Sequence, residues 1–298
     1  MTRADLVTRA ADGIDPFEQS RPRLLGIAYR MVGTMADADD IVQEAWVRWN
    51  AADHASIRRP EAWLTTVTAR IAIDCVRASG RRREEYLGPW LPDPLVADQG
   101  PEATAELADS LAIGFLRVLD TLDAVERAVF LLVDVFGVAY ADVALGVGKS
   151  EVACRQIASR ARRRLHGASS RRPVGEERRM VDELISAVAR GDLAAVLERL
   201  APDVVLVTDG GATRPAARRP LVGADRVANF LVTFARRSYS RARVVPTVIN
   251  GDPGIITYLG DRIDFVAAFE IADGAIAAIW LVRNPDKLDH VITPIAIR

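Results

Sequence analysis

Cysteine is nearly missing from this chain. Cys75 and Cys154 are the only two, far apart in stretches of helical patterning, which excludes a disulfide framework and fits a reducing cytoplasm. Histidine occurs three times, at His54, His166 and His290, and the spacing suggests no metal site. Lysine stands only at Lys149 and Lys287, so almost all positive charge is arginine. No apolar run approaches the length needed to cross a bilayer. The first fifteen residues mix acids with Arg3 and Arg9, unlike a secretory signal. Neither a cofactor nor a membrane partner is implied.

What is present suffices for sizeable cores, since half of the 298 residues are hydrophobic, and that length predicts two or three domains. The net charge of −1 conceals segregation. Between residues 149 and 166, Lys149, Arg155, Arg160, Arg162, Arg163 and Arg164 face a single acid, Glu151. Upstream, Asp37, Asp39, Asp40 and Glu44 crowd one short helix. Blocks of opposite sign point to two partner surfaces, one anionic and one cationic.

Periodicity divides the chain into a helical domain over 13–84, a linker over 85–108, a second helical domain over 109–166, a linker over 167–176, and an α+β domain over 177–298. In the first, Thr34 followed by Asp37 predicts a helix cap. Ile41, Val42, Ala45, Trp46 and Trp49 are expected to face inward. The first linker holds Pro89, Pro92 and Pro94, which bar a regular helix. It also displays Trp90 and Leu91, apolar enough to predict a docked segment. In the second helical domain, Leu111, Phe115, Leu119 and Leu122 form one expected stripe. In the last domain a helix is expected from Asp192 to about Leu200 and a strand over Val204–Val207. Asn250-Gly251 and Asp273-Gly274 then mark hairpins of an antiparallel sheet.

The break at Gly146-Val147-Gly148, between one helix and a basic one from Ser150 to Leu165, suggests helix-turn-helix. On a helical wheel Cys154, Ile157, Ala158, Ala161 and Leu165 fall on one arc, and Arg155, Gln156, Ser159, Arg160 and Arg163 on the other. Arginine and glutamine can read base edges, while serine and arginine can hold phosphates. The stretch from Asp123-Ala124-Val125-Glu126-Arg127 through Asp134-Val135-Phe136-Gly137 and Tyr140-Ala141-Asp142-Val143-Ala144 to Arg160-Ala161-Arg162 resembles domain 4 of extracytoplasmic-function sigma factors. That resemblance implies recognition of the promoter −35 element, with the DNA-facing positions on Arg155, Gln156, Ser159 and Arg160.

Asp37-Ala38-Asp39-Asp40-Ile41-Val42-Gln43-Glu44-Ala45-Trp46 is similar to the domain 2 signature of the same family. The resemblance implies docking of Asp39, Asp40, Gln43 and Glu44 on the clamp helices of the polymerase β′ subunit, with the β flap as a further contact of the chain. An acidic face beside apolar residues suits such a basic helical partner. His54 through Val67 resembles the unit that captures the −10 element, and Arg58, Arg59, Arg70, Arg77 and Arg81 are the candidate contacts there.

Residues 177–298 resemble a SnoaL-like, NTF2-like α+β cone, through Ala189-Arg190-Gly191-Asp192, Asp209-Gly210-Gly211, Val248-Ile249-Asn250-Gly251 and Arg283-Asn284-Pro285-Asp286-Lys287-Leu288. The implied fold class is multidomain, two all-α DNA-binding domains followed by this cone. Together with Gly88-Pro89-Trp90-Leu91-Pro92, the set resembles sigma factors that carry such a domain as a built-in regulator. The resemblance implies a regulatory interface of Trp90, Leu91, Asp209, Asn284 and Lys287. Relatives of the cone include cyclases and isomerases, for which Asp203, Asp209 and Asp264 are the candidate bases, with Asp209 read first as a turn residue. No paired acid and base can be named, so the expectation is a non-enzymatic protein whose last domain regulates or takes a small-molecule ligand.

Overall fold

The computed structural model describes residues 15–96, 111–165, 174–238 and 242–292. The expected linkers therefore lie partly outside the described residues, at 97–108 and 167–173. In chain order the helices are α1 (Pro16–Val32), α2 (Met35–Ala51), α3 (Pro60–Glu84), α4 (Ile113–Leu119), α5 (Ala124–Phe130), α6 (Tyr140–Val147), α7 (Glu151–Leu165), α8 (Val174–Arg190), α9 (Leu193–Leu197), α10 (Ala224–Ser238) and α11 (Pro285–Leu288). The strands are β1 (Leu200–Asp209), β2 (Leu221–Val222), β3 (Arg243–Ile249), β4 (Asp252–Leu259), β5 (Arg262–Ala272) and β6 (Ala275–Val282). The chain divides into two compact units. One holds the described residues up to Arg77 together with Asp123–Arg162, and the other the described residues of Ala78–Leu122 and from Arg163 onward.

In the first unit, local sequence sets the helix ends. The Thr34 hydroxyl caps α2 by accepting the Asp37 N–H at 3.3 Å, and Asp123 and Glu126 form a reciprocal capping box on α5. α5 runs on into a π turn over Leu131–Val135, a local widening that places Phe136 at its end. Ile27 of α1 and Ala69 of α3 share one apolar cluster with Val129, Leu132, Val143, Cys154, Ile157 and Ala158. Trp49 is buried as expected, but Trp46 is 46% exposed. Ala38, Ile41, Val42, Ala45 and Trp49 already fill the inward arc of this helix.

The second unit is built on a six-stranded sheet of order β2-β1-β6-β5-β4-β3. The hairpins expected at Asn250-Gly251 and Asp273-Gly274 join β3 to β4 and β5 to β6, and both Asn250 and Asp273 take positive φ. The sheet is not wholly antiparallel, because β1 lies parallel to β6. Nor does the α9 helix reach Leu200: that residue opens β1 and pairs with Ile276, so sheet pairing overrides the local helical pattern. One sheet face packs on α8, α9 and α10 through Leu184, Val196, Val227, Phe265 and Phe269. The other carries Val207, Ile249, Val266, Trp280 and Val282, and is covered by Leu91, Ile113 and Leu288. Both faces of β5 are buried, so its central residues do not alternate in burial. Leu119 and Leu122 of the expected stripe are buried, whereas Leu111 precedes α4 and Phe115 is only half-buried, the helix turning Ile113 and Leu116 inward instead.

The turn after β1 sets a packing limit. Gly211 has φ +60° and a Cβ there would lie 2.7 Å from the Asn284 side chain. Gly260 has nearly the same φ, +62°, with nothing within 4 Å. Both positions are strained for alanine, but only Gly211 adds a clash. Gly211→Ala is expected to cost about 1–3 kcal/mol and Gly260→Ala about 1 kcal/mol, ordered that way in thermal melts of the two variants.

Candidate functional site

Helix α7 divides cleanly. Ser150 caps it by accepting the Ala153 N–H at 3.2 Å. Cys154, Ile157, Ala158 and Ala161 are buried, while Arg155, Gln156, Ser159, Arg160 and Arg163 are exposed. Arg155 is already engaged: its Nη2 lies 2.5 Å from Glu151 Oε1 and its guanidinium stacks 5.0 Å from the Tyr140 ring. Arg162 donates to Asp134 at 2.7 Å and to the Tyr140 hydroxyl at 3.1 Å, and the Asp134 bond holds it above its ordinary pKa. Arg162 therefore ties α7 to its own domain. The remaining cations, amide and hydroxyl form a convex face with the chemistry to meet an anionic groove.

On α2, Asp39, Asp40, Gln43 and Glu44 are exposed, and Glu44 accepts from Arg48 Nε at 2.9 Å. Trp46 and Val47 continue this surface as exposed apolar residues. The arginines of the next segment are placed differently. Arg58 and Arg77 are exposed, and Arg77 lies 3.6 Å from Asp74. Arg59 grips both oxygens of Asp142 on α6, at 3.1 and 3.0 Å. Arg70 donates to the α6 carbonyls of Gly146, at 2.9 Å, and Leu145, orphan acceptors at a helix C-terminus. Arg81 lies farther along α3, and its side chain is outside the described residues. Arg127 donates to the Met31 carbonyl at 2.7 Å, and Arg23 to that of Phe136 at 3.0 Å.

In the second unit the structure brings together all five residues of the expected interface, around a buried carboxylate. Asp209 Oδ2 accepts from Lys287 Nζ at 2.8 Å and from the Leu91 N–H at 2.9 Å. Its Oδ1 accepts from the Tyr86 hydroxyl at 2.5 Å and from the Gly211 N–H at 3.1 Å. Lys287 also donates to the Leu91 carbonyl and stands 4.3 Å over the Trp90 ring. Asn284 Nδ2 donates to the Tyr86 oxygen at 2.9 Å. Burial, and then the bond to Asp209, push the Tyr86 phenol well above its ordinary value. Asp209 is thus both the turn residue and the hub of the cluster.

Two residues that hold the linker were not among the expected site residues. Tyr86 carried no local signal beyond its place beside the prolines. Asn250 was read as a hairpin turn and as part of a motif of the resemblance, but not as a site residue, yet its side chain accepts the Leu95 N–H at 2.8 Å and donates to the Leu111 carbonyl at 3.1 Å. Its own N–H donates to the Leu95 carbonyl at 2.8 Å, and Val96 bridges to Ile249. Arg117 of α4 donates to the Trp90 carbonyl at 3.0 Å. The Asp264 carboxylate is held by Arg283 at 3.1 Å.

Three family descriptions match consecutive parts of the chain: Sigma-70 region 2 over residues 17–82, Sigma-70 region 4 over 114–165, and SnoaL-like domain over 181–279. The chain is 38% identical over 293 residues to the ECF RNA polymerase sigma factor SigJ of Mycobacterium tuberculosis, covering 92% of each. It is 32% identical over 277 residues to a probable ECF RNA polymerase sigma factor SigI from the same species, covering 90% of this chain and 92% of that one. The crystal structure of M. tuberculosis SigJ superposes with a TM-score of 0.74 at 35% identity, over 92% of this chain and 97% of that chain.

Removing one partner of a buried ion pair leaves an uncompensated charge. Lys287→Met is therefore expected to destabilise the second unit by about 3–5 kcal/mol. Thermal unfolding reads the total loss, and hydrogen exchange of the Leu91 amide reads release of the linker. Normal protection of that amide in the variant would contradict the geometry.

Proposed function

The chain belongs to the extracytoplasmic-function RNA polymerase sigma factors, and from that membership we propose that its C-terminal domain governs how far regions 2 and 4 can separate on the polymerase. The observation that carries this reading is Asn250. One side chain binds Leu95, within the linker, and Leu111, just before α4 of region 4. While both bonds hold, Leu95 and Leu111 are kept together at that one side chain. Asp209 and Lys287 fix the same linker at Leu91.

The division of labour follows the exposed faces. Arg155, Gln156, Ser159, Arg160 and Arg163 read the −35 element. Asp39, Asp40, Gln43 and Glu44, with the exposed Trp46 and Val47, dock on the β′ clamp helices, and region 4 meets the β flap. Arg58, Arg59, Arg70, Arg77 and Arg81 serve the −10 element. In the free chain Arg59 and Arg70 are bound to α6 of region 4, so α6 must leave before they can hold DNA. We read the SnoaL-like domain as a regulator rather than an enzyme. Of its three candidate bases, Asp209 is paired with Lys287, Asp264 with Arg283, and Asp203 is exposed. A small molecule bound to this domain would act through the same clamp, by favouring one linker arrangement.

Two tests use the chain reconstituted with core polymerase on a promoter selected from a random library. Asn250→Gly keeps the positive φ while deleting both side-chain bonds. At about 1 kcal/mol per bond, release is expected to raise transcription at limiting chain concentration by on the order of tenfold. Equal activity would sink the regulatory reading. Separately, Asp40→Arg is expected to weaken core binding and leave the selected −35 sequence unchanged. Arg160→Ala is expected to weaken −35 recognition by about 1–3 kcal/mol with core binding intact. The reverse pattern would overturn the placement of the two faces.

A further inference from the structure

Helix α7 carries one residue that its polar face does not explain. Val152 is 64% exposed. At about 100° per residue it sits roughly 160° from the centre of the arc formed by Cys154, Ile157, Ala158, Ala161 and Leu165. It therefore heads the stripe of Val152, Arg155, Gln156, Ser159, Arg160 and Arg163, and lies at the angular centre of that stripe. Single exposed apolar residues are ordinary on protein surfaces. The position of this one is not ordinary, since it stands in the first turn of the helix and opposite its core. Nor does the helix gain from it: valine is a weak helix former, and Glu151 and Arg155 on either side of it pair with each other instead.

The first turn is the part of a recognition helix that reaches base edges. The apolar group displayed on base edges in the major groove is the thymine C5-methyl. We infer that Val152 is a specificity-determining residue, its isopropyl group packing on the C5-methyl of one thymine in the −35 element. The flanking cations supply the phosphate attraction that brings the helix to that depth, and the Glu151–Arg155 pair with the Tyr140 stack keeps Arg155 to one side of the contact. The inference rests on the reading of α7 as the −35 recognition helix.

The experiment uses holoenzyme made from the full chain and core polymerase, with a promoter it selects from a random library. Each thymine of the −35 element, on either strand, is replaced in turn by deoxyuridine, which lacks only the methyl. Wild type is expected to lose roughly fourfold in open-complex formation at one position, the worth of one buried methyl-sized group. Val152→Ala is expected to be weaker by a similar factor on the thymine promoter. It should lose nothing further at that position and respond as wild type does elsewhere. Val152→Thr, which keeps the branched shape with one methyl, is expected to fall between the two. Equal losses of variant and wild type at every position would overturn the inference, as would wild-type indifference to every replacement or a selected element without thymine. Failure of the holoenzyme to select any sequence would instead overturn the reading of α7 itself, and the inference with it.

Discussion

A single buried carboxylate organises the C-terminal half of this protein. Asp209 is 1% exposed, and an ionised carboxylate at that depth is tolerable only when a countercharge and donors surround it. Its donors come from three separated segments: Tyr86 and Leu91 from the linker, Gly211 from the turn, and Lys287 from the tail. Satisfying one charge therefore fixes linker, turn and tail together. The apolar sheet face beneath them completes the arrangement, since Leu91 and Leu288 cover residues that would otherwise face water.

The first unit relies on arginine in a different way. Arg23, Arg70 and Arg127 each reach a backbone carbonyl, and Arg59 takes both oxygens of Asp142. The planar guanidinium suits such tasks because its donors diverge in a fixed fork. The same geometry serves phosphate and base edges. A side chain that holds another helix in the free protein is thus chemically prepared to hold nucleic acid once that helix departs. In the proposed function, competition for these shared donors is what would link the arrangement of regions 2 and 4 to the reading of DNA.

Much of the fold was legible in the sequence, and so were the candidate faces. The buried arc of α7, the acidic face of α2, the cap at Thr34 and the hairpins at Asn250-Gly251 and Asp273-Gly274 are all local. A helix repeats every 3.6 residues and a tight turn demands positive φ, so neighbouring residues carry the whole signal. The convergence of Trp90, Leu91, Asp209, Asn284 and Lys287 came from resemblance rather than from pattern, and no periodicity could have joined those positions.

The sequence by itself determined which residues form helices and turns and which side of α7 faces away from its core. Only the tertiary structure decided that β1 runs parallel to β6, that Trp46 is exposed, that Arg59 and Arg70 hold α6, and that Asn250 binds Leu95 and Leu111. The reason is the range of the forces involved. Backbone geometry and side-chain periodicity act over a few residues and leave their mark in order along the chain. The partner of a buried polar group or an edge strand is chosen among segments tens of residues away, where the one requirement is that the group be satisfied.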